Sequence, residues 1–250
     1  MRKIFLSAAA FTTLTGAAFA ADLPSTKAAP PFVPPPPAFS WTGFYLGVYG
    51  GGTFGNSTVT ATGFGHYSQS LGGGTAGGLG GYNYMVNQNF VLGVEGEFGY
   101  QGNRGAGNFV SFSNGFPLSQ TVNADYIGRI RGRLGLALNN ALFYIAGGGS
   151  FSDEKIALNQ PTIPNGPASI SKGIAGWNIG AGVDYAFMPN LVARLEYIYD
   201  GYGSTSYNFA NTAVPVGPGF VNRSASVSDS TVRAALIYKF GAPESVVAKY

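Results

Sequence analysis

Apolar and polar side chains alternate at every second position along several stretches of this chain. In the longest stretch, residues 122–138, the arginines Arg129, Arg131 and Arg133 alternate with glycine and apolar residues. A repeat of two is the pattern of a β-strand, whose successive side chains point to opposite faces. The stretch is longer than the ~5 or 6 residues of a common strand and covers the ~9–11 that a tilted strand needs to cross a bilayer. We therefore predict a strand with one face toward lipid and one toward a polar interior.

The same alternation predicts eight strands, at about residues 42–54, 74–86, 90–101, 121–138, 141–151, 174–188, 191–200 and 230–240. Their connections alternate between short turns rich in Asn and Pro, at 87–89, 139–140 and 188–190, and long stretches at 55–73, 102–120, 152–173 and 201–229. Short periplasmic turns and longer extracellular loops are typical of outer-membrane barrels. We predict an all-β fold, an eight-stranded antiparallel transmembrane β-barrel, because closure leaves no unpaired strand edge in lipid.

The N-terminus has the features of a secretory signal peptide. A basic start at Arg2 and Lys3 precedes an apolar run that ends in the small-x-small site Ala18-Phe19-Ala20. The alternative is a membrane anchor helix, but the run is short and Asp22 follows it at once. We predict a signal peptide at 1–20, a barrel at 41–240 and a C-terminal tail at 241–250.

Residues 21–40 separate the signal peptide from the barrel. They include A-P-P-F-V-P-P-P-P at 29–37, which predicts extended polyproline that cannot join a sheet. We predict a semi-rigid periplasmic spacer, with binding of a periplasmic partner as a second possibility.

Composition fits a β protein whose outer surface does not face water. Charged residues make up 10%, whereas ordinary soluble domains have about 25%. Of the 14 Lys and Arg residues, Arg2 and Lys3 leave with the signal peptide, so 12 basic residues face 11 acidic ones. No basic patch suggests nucleic acid. The chain has no cysteine, which excludes disulfides and thiolate metal sites.

Charged residues on the polar phase of the strands are predicted to form an ion network in the lumen. The acids are Glu95, Glu97, Asp125, Asp184, Glu196 and Asp200, and the bases are Arg129, Arg131, Arg133, Arg194, Arg233 and Lys239. An isolated buried charge costs several kcal/mol, which favours mutual pairing. Eight strands enclose a space only just wide enough for side chains. We expect a filled polar core, with a narrow or gated ion path as the alternative.

Patterns that resemble catalytic or cofactor sites are weak. G-x-G-x-x-G at 72–77 is not followed by helical periodicity, so a nucleotide site is not expected. His66 and Ser68 have the spacing used by outer-membrane lipid deacylases, but no acidic residue lies near them to orient the histidine. His66 is the only histidine, and Asp153-Glu154 is a lone acidic pair, too few ligands for a structural metal. We expect no enzyme activity, no metal and no cofactor.

Four segments resemble a known family. They are A-D-L-P at 21–24, W-T-G-F-Y-L-G at 41–47, G-Y-N-Y at 81–84 and V-R-A-A-L-I-Y-K-F at 232–240. Together with the proline-rich spacer, they are similar to the small outer-membrane β-barrel proteins of alpha-proteobacteria, labelled porin-like or outer-membrane immunogenic proteins. The resemblance covers nearly the whole chain and implies an eight-stranded barrel with surface-exposed loops.

The resemblance also implies how the barrel is assembled. In such proteins the last strand commonly ends the chain with an aromatic residue that the barrel-assembly machinery reads. Here Tyr238 and Phe240 are followed by ten more residues, which end at Tyr250. Tyr238 and Phe240 are therefore expected to act as an internal assembly signal, or Tyr250 serves as the terminal aromatic.

The leading functional prediction is a structural, surface-exposed protein that contributes to envelope integrity and surface contacts. Its expected surroundings are outer-membrane lipid and lipopolysaccharide. A small porin for ions or small solutes is the first alternative. The second is capture of haemin, which some relatives are said to bind, or of another ligand by loop aromatics: Phe64, Tyr67, Phe109, Phe112, Phe116, Tyr202, Tyr207, Phe209 and Phe220.

Overall fold

The computed structural model describes residues 39–61, 65–110, 117–159, 168–208 and 222–241. These residues form eight strands: β1 Gly43–Ala61, β2 Gly65–Met85, β3 Phe90–Val110, β4 Pro117–Leu138, β5 Ala141–Asn159, β6 Ala168–Met188, β7 Leu191–Asn208 and β8 Asn222–Lys239. Each strand pairs antiparallel with the next, and β8 pairs with β1, which closes the barrel. This confirms the predicted fold class. No helix within the described ranges is long and apolar enough to cross a membrane.

Three tight turns lie together at one end of the barrel, which we call the short-turn end. Asparagine stabilises two of them, as the sequence predicts. Asn87 Oδ1 accepts hydrogen bonds from the backbone N–H groups of Asn89 (3.0 Å) and Phe90 (2.9 Å). Asn139 has φ +54°, in the left-handed region that asparagine tolerates, and Asn140 Nδ2 donates to Ala186 O at 3.0 Å.

At the opposite end, the loop end, the strands run further than the sequence predicted. β2 begins at Gly65 instead of residue 74, and β8 begins at Asn222 instead of residue 230. Much of the four predicted long loops is therefore strand. The alternation of apolar and polar residues that predicts a strand arises only where one face of the strand meets lipid. It fades in segments rich in Gly, Ser, Thr and Asn, although backbone pairing between strands continues there.

The barrel exposes apolar side chains on its outside and buries charged ones inside. Phe98 and Ile130 are each 67% exposed, while Arg129 and Arg131 on the opposite face of the wall are 2% and 1% exposed. This is the reverse of a soluble domain, in which charged residues are almost never fully buried unless paired. The outer face therefore suits lipid.

An apolar layer fills the lumen at the short-turn end. Its buried members are Trp41, Tyr45, Tyr49, Leu79, Val91, Ala137, Leu142, Ala186, Val192, Ala235 and Ile237. Trp41 precedes β1, and its backbone N–H donates to Met85 Sδ at 3.2 Å while Met85 N–H donates to Thr42 Oγ1 at 3.0 Å. Phe39 packs edge-on against Trp41, with ring centroids 4.8 Å apart. The segment before β1 therefore helps to close this end.

Some predicted features lie outside the described residues. They are the signal peptide at 1–20, the spacer at 21–40 apart from its last two residues, and the tail at 241–250 apart from Gly241. Among the predicted loop aromatics, Phe64, Phe112, Phe116, Phe209 and Phe220 also lie outside them. These features stay predictions.

Candidate functional site

The strand register places acids directly opposite bases in the middle of the lumen. Glu95 of β3 pairs with Arg131 of β4, and Glu97 pairs with Arg129. All four side chains point inward because each occupies the inward phase of its strand. Residues from β6, β7 and β8 reach the same level from the other wall, so the charges meet across the lumen.

Arg131 lies at the centre of this arrangement. Its Nη1 donates to Glu196 Oε1 at 2.7 Å, its Nη2 forms an ion pair with Glu95, and the same Nη2 lies 3.3 Å from Glu97 Oε2. One guanidinium therefore joins three carboxylates from two sides of the barrel. An arginine suits this position because its donors are fixed in a planar fork.

Arg129 connects β4 to β7 nearer the loop end. It forms an ion pair with Glu97 and a two-point contact with Asp200, Nε to Oδ1 at 2.8 Å and Nη2 to Oδ2 at 2.7 Å. Ser150 Oγ also donates to Asp200 Oδ1 at 2.6 Å, and Asn178 Nδ2 donates to Ser150 Oγ at 3.0 Å. Both oxygens of the Asp200 carboxylate therefore accept hydrogen bonds.

Two arginines share Asp184 on the side of the short-turn end. Arg194 contacts it twice, Nε to Oδ1 at 2.6 Å and Nη2 to Oδ2 at 2.9 Å, and Arg133 Nη2 donates to Oδ2 at 2.8 Å. Arg194 Nη1 also donates to Glu95 Oε2 at 2.6 Å. Arg233 of β8 closes the arrangement, because its Nε donates to Glu196 Oε2 at 2.9 Å and its Nη2 to Glu97 Oε2 at 2.5 Å.

Tyrosines that the sequence analysis did not single out contact these charges, and two of them, Tyr45 and Tyr49, belong to the apolar layer. Tyr45 accepts from Arg133 Nη1 and donates to Glu95 Oε2, both at 2.8 Å. The Arg133 guanidinium lies 3.9 Å from the Tyr144 ring centroid, and that of Arg233 lies 4.2 Å from the Tyr49 centroid. Such cation–π contacts favour a charge that has left water. These tyrosines occupy the alternate strand positions that point into the lumen, so the alternation could have identified them.

Ten of the twelve predicted lumen residues thus form one connected set, which we call the ion network: Glu95, Glu97, Arg129, Arg131, Arg133, Asp184, Arg194, Glu196, Asp200 and Arg233. It contains five acids and five bases, so its formal charge is zero. Every member has a side chain at most 3% exposed. Burial of so many charges is tolerable only because each is paired and hydrogen-bonded.

The other two predicted members lie apart from the ion network. Asp125 is half-buried beside an irregularity of β4, where the register with β3 and with β5 shifts, so the alternation of Arg129 to Arg133 does not continue through it. Lys239 is buried at the short-turn end, where its ammonium lies 5.6 Å from the Phe39 ring centroid.

Other residues considered from the sequence are placed differently from expectation. Tyr202, predicted as a loop aromatic, is a buried residue of β7. His66 and Ser68 belong to strand β2 rather than a loop. Asp153 and Glu154, also expected in a loop, lie in β5. No cluster of three or more metal-binding side chains occurs within the described part of the chain.

Tyr238 and Phe240 lie at the end of β8 and face outward. Their exposed rings meet edge to face with centroids 5.0 Å apart. Phe240 N–H donates to Phe44 O at 2.9 Å, which joins the end of the last strand to the first. Their role as an assembly signal stays a prediction.

Known proteins share features with this chain. A family model described as outer membrane protein beta-barrel domain matches residues 6–240. The chain is 32% identical over 261 residues to the 31 kDa outer-membrane immunogenic protein of Brucella melitensis, covering 96% of this chain and 100% of that protein. It is 33% identical over 178 residues to the 22 kDa outer membrane protein of Rhizobium leguminosarum, covering 70% and 71%.

The barrel also resembles solved structures at low similarity. The outer membrane protein OprG from Pseudomonas aeruginosa matches with a TM-score of 0.44 and 12% identity, covering 79% of this chain and 97% of that one. A likeness at this level carries no argument about function.

Proposed function

Because the chain belongs to the outer membrane β-barrel family, we propose that it is a structural, surface-exposed envelope protein whose lumen is closed to solutes. The protein lies in the outer membrane, so lipid and lipopolysaccharide surround its outward face. The observation that carries the proposal is the ion network, which joins opposite walls of the barrel through direct hydrogen bonds. The proposed contribution is to envelope integrity and surface contact.

Two layers support a closed lumen. The ion network occupies the middle, and the apolar layer occupies the short-turn end, where Leu142, Val192 and Ile237 are at most 2% exposed. An eight-stranded barrel has room inside for little more than its side chains. A steady diffusion path would have to cross both layers.

The loop end supports a surface role. β1 continues beyond Phe54, and its outward residues there, Asn56 and Thr58, are polar and exposed. Ser68 and Ser70 of β2 are exposed at the same level, because they pair with Thr58 and Asn56. Paired strands with a polar outer face suit water and not lipid. We infer that the barrel wall projects beyond the bilayer and presents a rigid surface.

Deletion of the gene tests this proposal. We expect a deletion strain to admit more of a hydrophobic dye such as N-phenylnaphthylamine, because the outer membrane loses a structural barrel. Uptake of small hydrophilic solutes should stay unchanged, because the protein is not a pore. Both quantities are measured in the parent, the deletion strain and a strain complemented with the wild-type gene.

The alternative functions give different outcomes in the same strains. A small porin would leave dye entry normal and lower solute uptake on deletion. Capture of haemin would appear as lost growth on haemin as the iron source. Either result without increased dye entry would contradict the structural proposal.

A further inference from the structure

We propose that the lumen binds a monovalent cation at Asp229, between the ion network and the loop end. Asp229 is an inward residue of β8 that the sequence analysis missed, and it is 3% exposed. The ion network is already neutral without it. No arginine or lysine among the described residues forms an ion pair with Asp229. A buried carboxylate without a compensating charge is strongly unfavourable.

The neighbouring strand adds a second negative charge beside Asp229. Asp200 of β7 is the register partner of Asp229, so two carboxylates lie side by side across the strand pair. Arg129 is the nearest base of the ion network, but it already binds Asp200 at two points and pairs with Glu97. Like charges at close range in a low-dielectric lumen repel each other. The pair of aspartates therefore carries one negative charge more than the protein neutralises.

The Asp229 carboxylate is only partly hydrogen-bonded. Gln101 Nε2 donates to its Oδ2 at 3.2 Å from the opposite side of the lumen. Its Oδ1 accepts no direct hydrogen bond from the described residues and lies over Gly55 of β1, and the buried Asn103 amide is a further neighbour of the carboxylate. A Cβ at position 55 would collide with this oxygen and with the Ser228 carbonyl oxygen, so glycine is needed there for the close approach of β1 to β8.

Other oxygen atoms around Asp229 also have no partner within the described ranges. They are Gln101 Oε1 and Thr231 Oγ1, and their residues are at most 1% exposed. Thr231 lies two residues from Asp229 on the same face of β8, and Gln101 reaches the Asp229 carboxylate through its own amide. Carboxylate, amide and hydroxyl oxygens are the ligands that hard cations prefer.

A bound cation explains these features better than a proton on Asp229. A proton would supply one donor and leave the other buried oxygens unpaired, which is unfavourable for each of them. A cation can contact several oxygens at once. One excess negative charge calls for one positive charge, which favours a sodium-sized monovalent ion over a divalent one.

The test compares heat stability in sodium chloride with that in N-methylglucamine chloride at equal ionic strength. The readout is the temperature at which the folded gel band of purified protein converts to the unfolded band. We expect sodium near saturation to raise the wild-type midpoint on the order of 5 °C. Asp229→Asn should lose this sodium dependence. Asp125→Asn removes an equal charge outside the site and should keep it.

A second measurement does not depend on the variant folding. Folded wild-type protein in micelles should broaden the ²³Na resonance, and the broadening should disappear after heat unfolding. A wild-type midpoint that is equal in the two salts would overturn the proposal, as would undiminished sodium dependence in Asp229→Asn. Stabilisation by calcium but not by sodium would overturn the monovalent assignment, and an unbroadened resonance would overturn binding itself.

Discussion

Replacing Arg131 with methionine is expected to lower the free energy of unfolding by about 3–5 kcal/mol, because the change leaves buried carboxylates without their shared base. Arg131 contacts Glu95, Glu97 and Glu196, and its side chain is completely buried. Methionine fills much of the same length but supplies no donor. The measurement is denaturant unfolding in lipid vesicles, followed by the fluorescence of the two tryptophans.

The matched control is Arg104→Met. Arg104 is an exposed arginine of β3, so its loss should change stability by no more than about 0.5 kcal/mol. Adding Glu196→Gln to Arg131→Met should recover part of the lost stability, because the buried set then holds four acids and four bases and is neutral again. Equal effects of Arg131→Met and Arg104→Met would show that the ion network does not stabilise the barrel.

Truncating Trp41 to alanine is expected to cost a similar amount, about 3–5 kcal/mol, because it empties part of the apolar layer. Trp41 is 2% exposed and packs with Phe39 at the entrance to the short-turn end. The stability change is read from the cold and heated gel mobilities across a denaturant series, since the variant loses one of the two fluorophores.

Trp41→Phe provides the comparison. The Trp41 Nε1 has no hydrogen-bond partner among the described residues, so phenylalanine loses packing volume but no hydrogen bond. Its cost should stay below about 1.5 kcal/mol, as for other conservative core changes. If alanine and phenylalanine destabilise equally, or if neither does, the apolar layer contributes nothing to stability.

Strand existence and closure could be predicted from the sequence because lipid imposes a strong alternation. Every outward position is apolar or glycine in the segment from Arg129 to Arg133 and around the opposing Glu95 and Glu97. The alternation alone therefore identified which residues face inward. The short turns were predictable for a similar reason, since Asn139 adopts the left-handed backbone that asparagine accepts.

Other features of the lumen could not be predicted, because the alternation of apolar and polar residues does not indicate them. Asp229 lies in the part of β8 for which the sequence predicts a loop, because Ser, not an apolar residue, occupies the alternate positions around it. Asp125 was assigned inward by continuing the alternation through an irregularity that only strand pairing reveals. Tyr202 was missed because a buried ring in a Gly-rich segment has the same sequence pattern as an exposed one.

Single-channel recording in planar bilayers tests the central claim, that two separate layers close the lumen. The wild-type protein should show no large, steady conductance. Trp41→Ala should also stay closed, because the ion network still joins the walls behind the weakened apolar layer. Steady open channels in the wild type would mean that water crosses the ion network and would contradict the account.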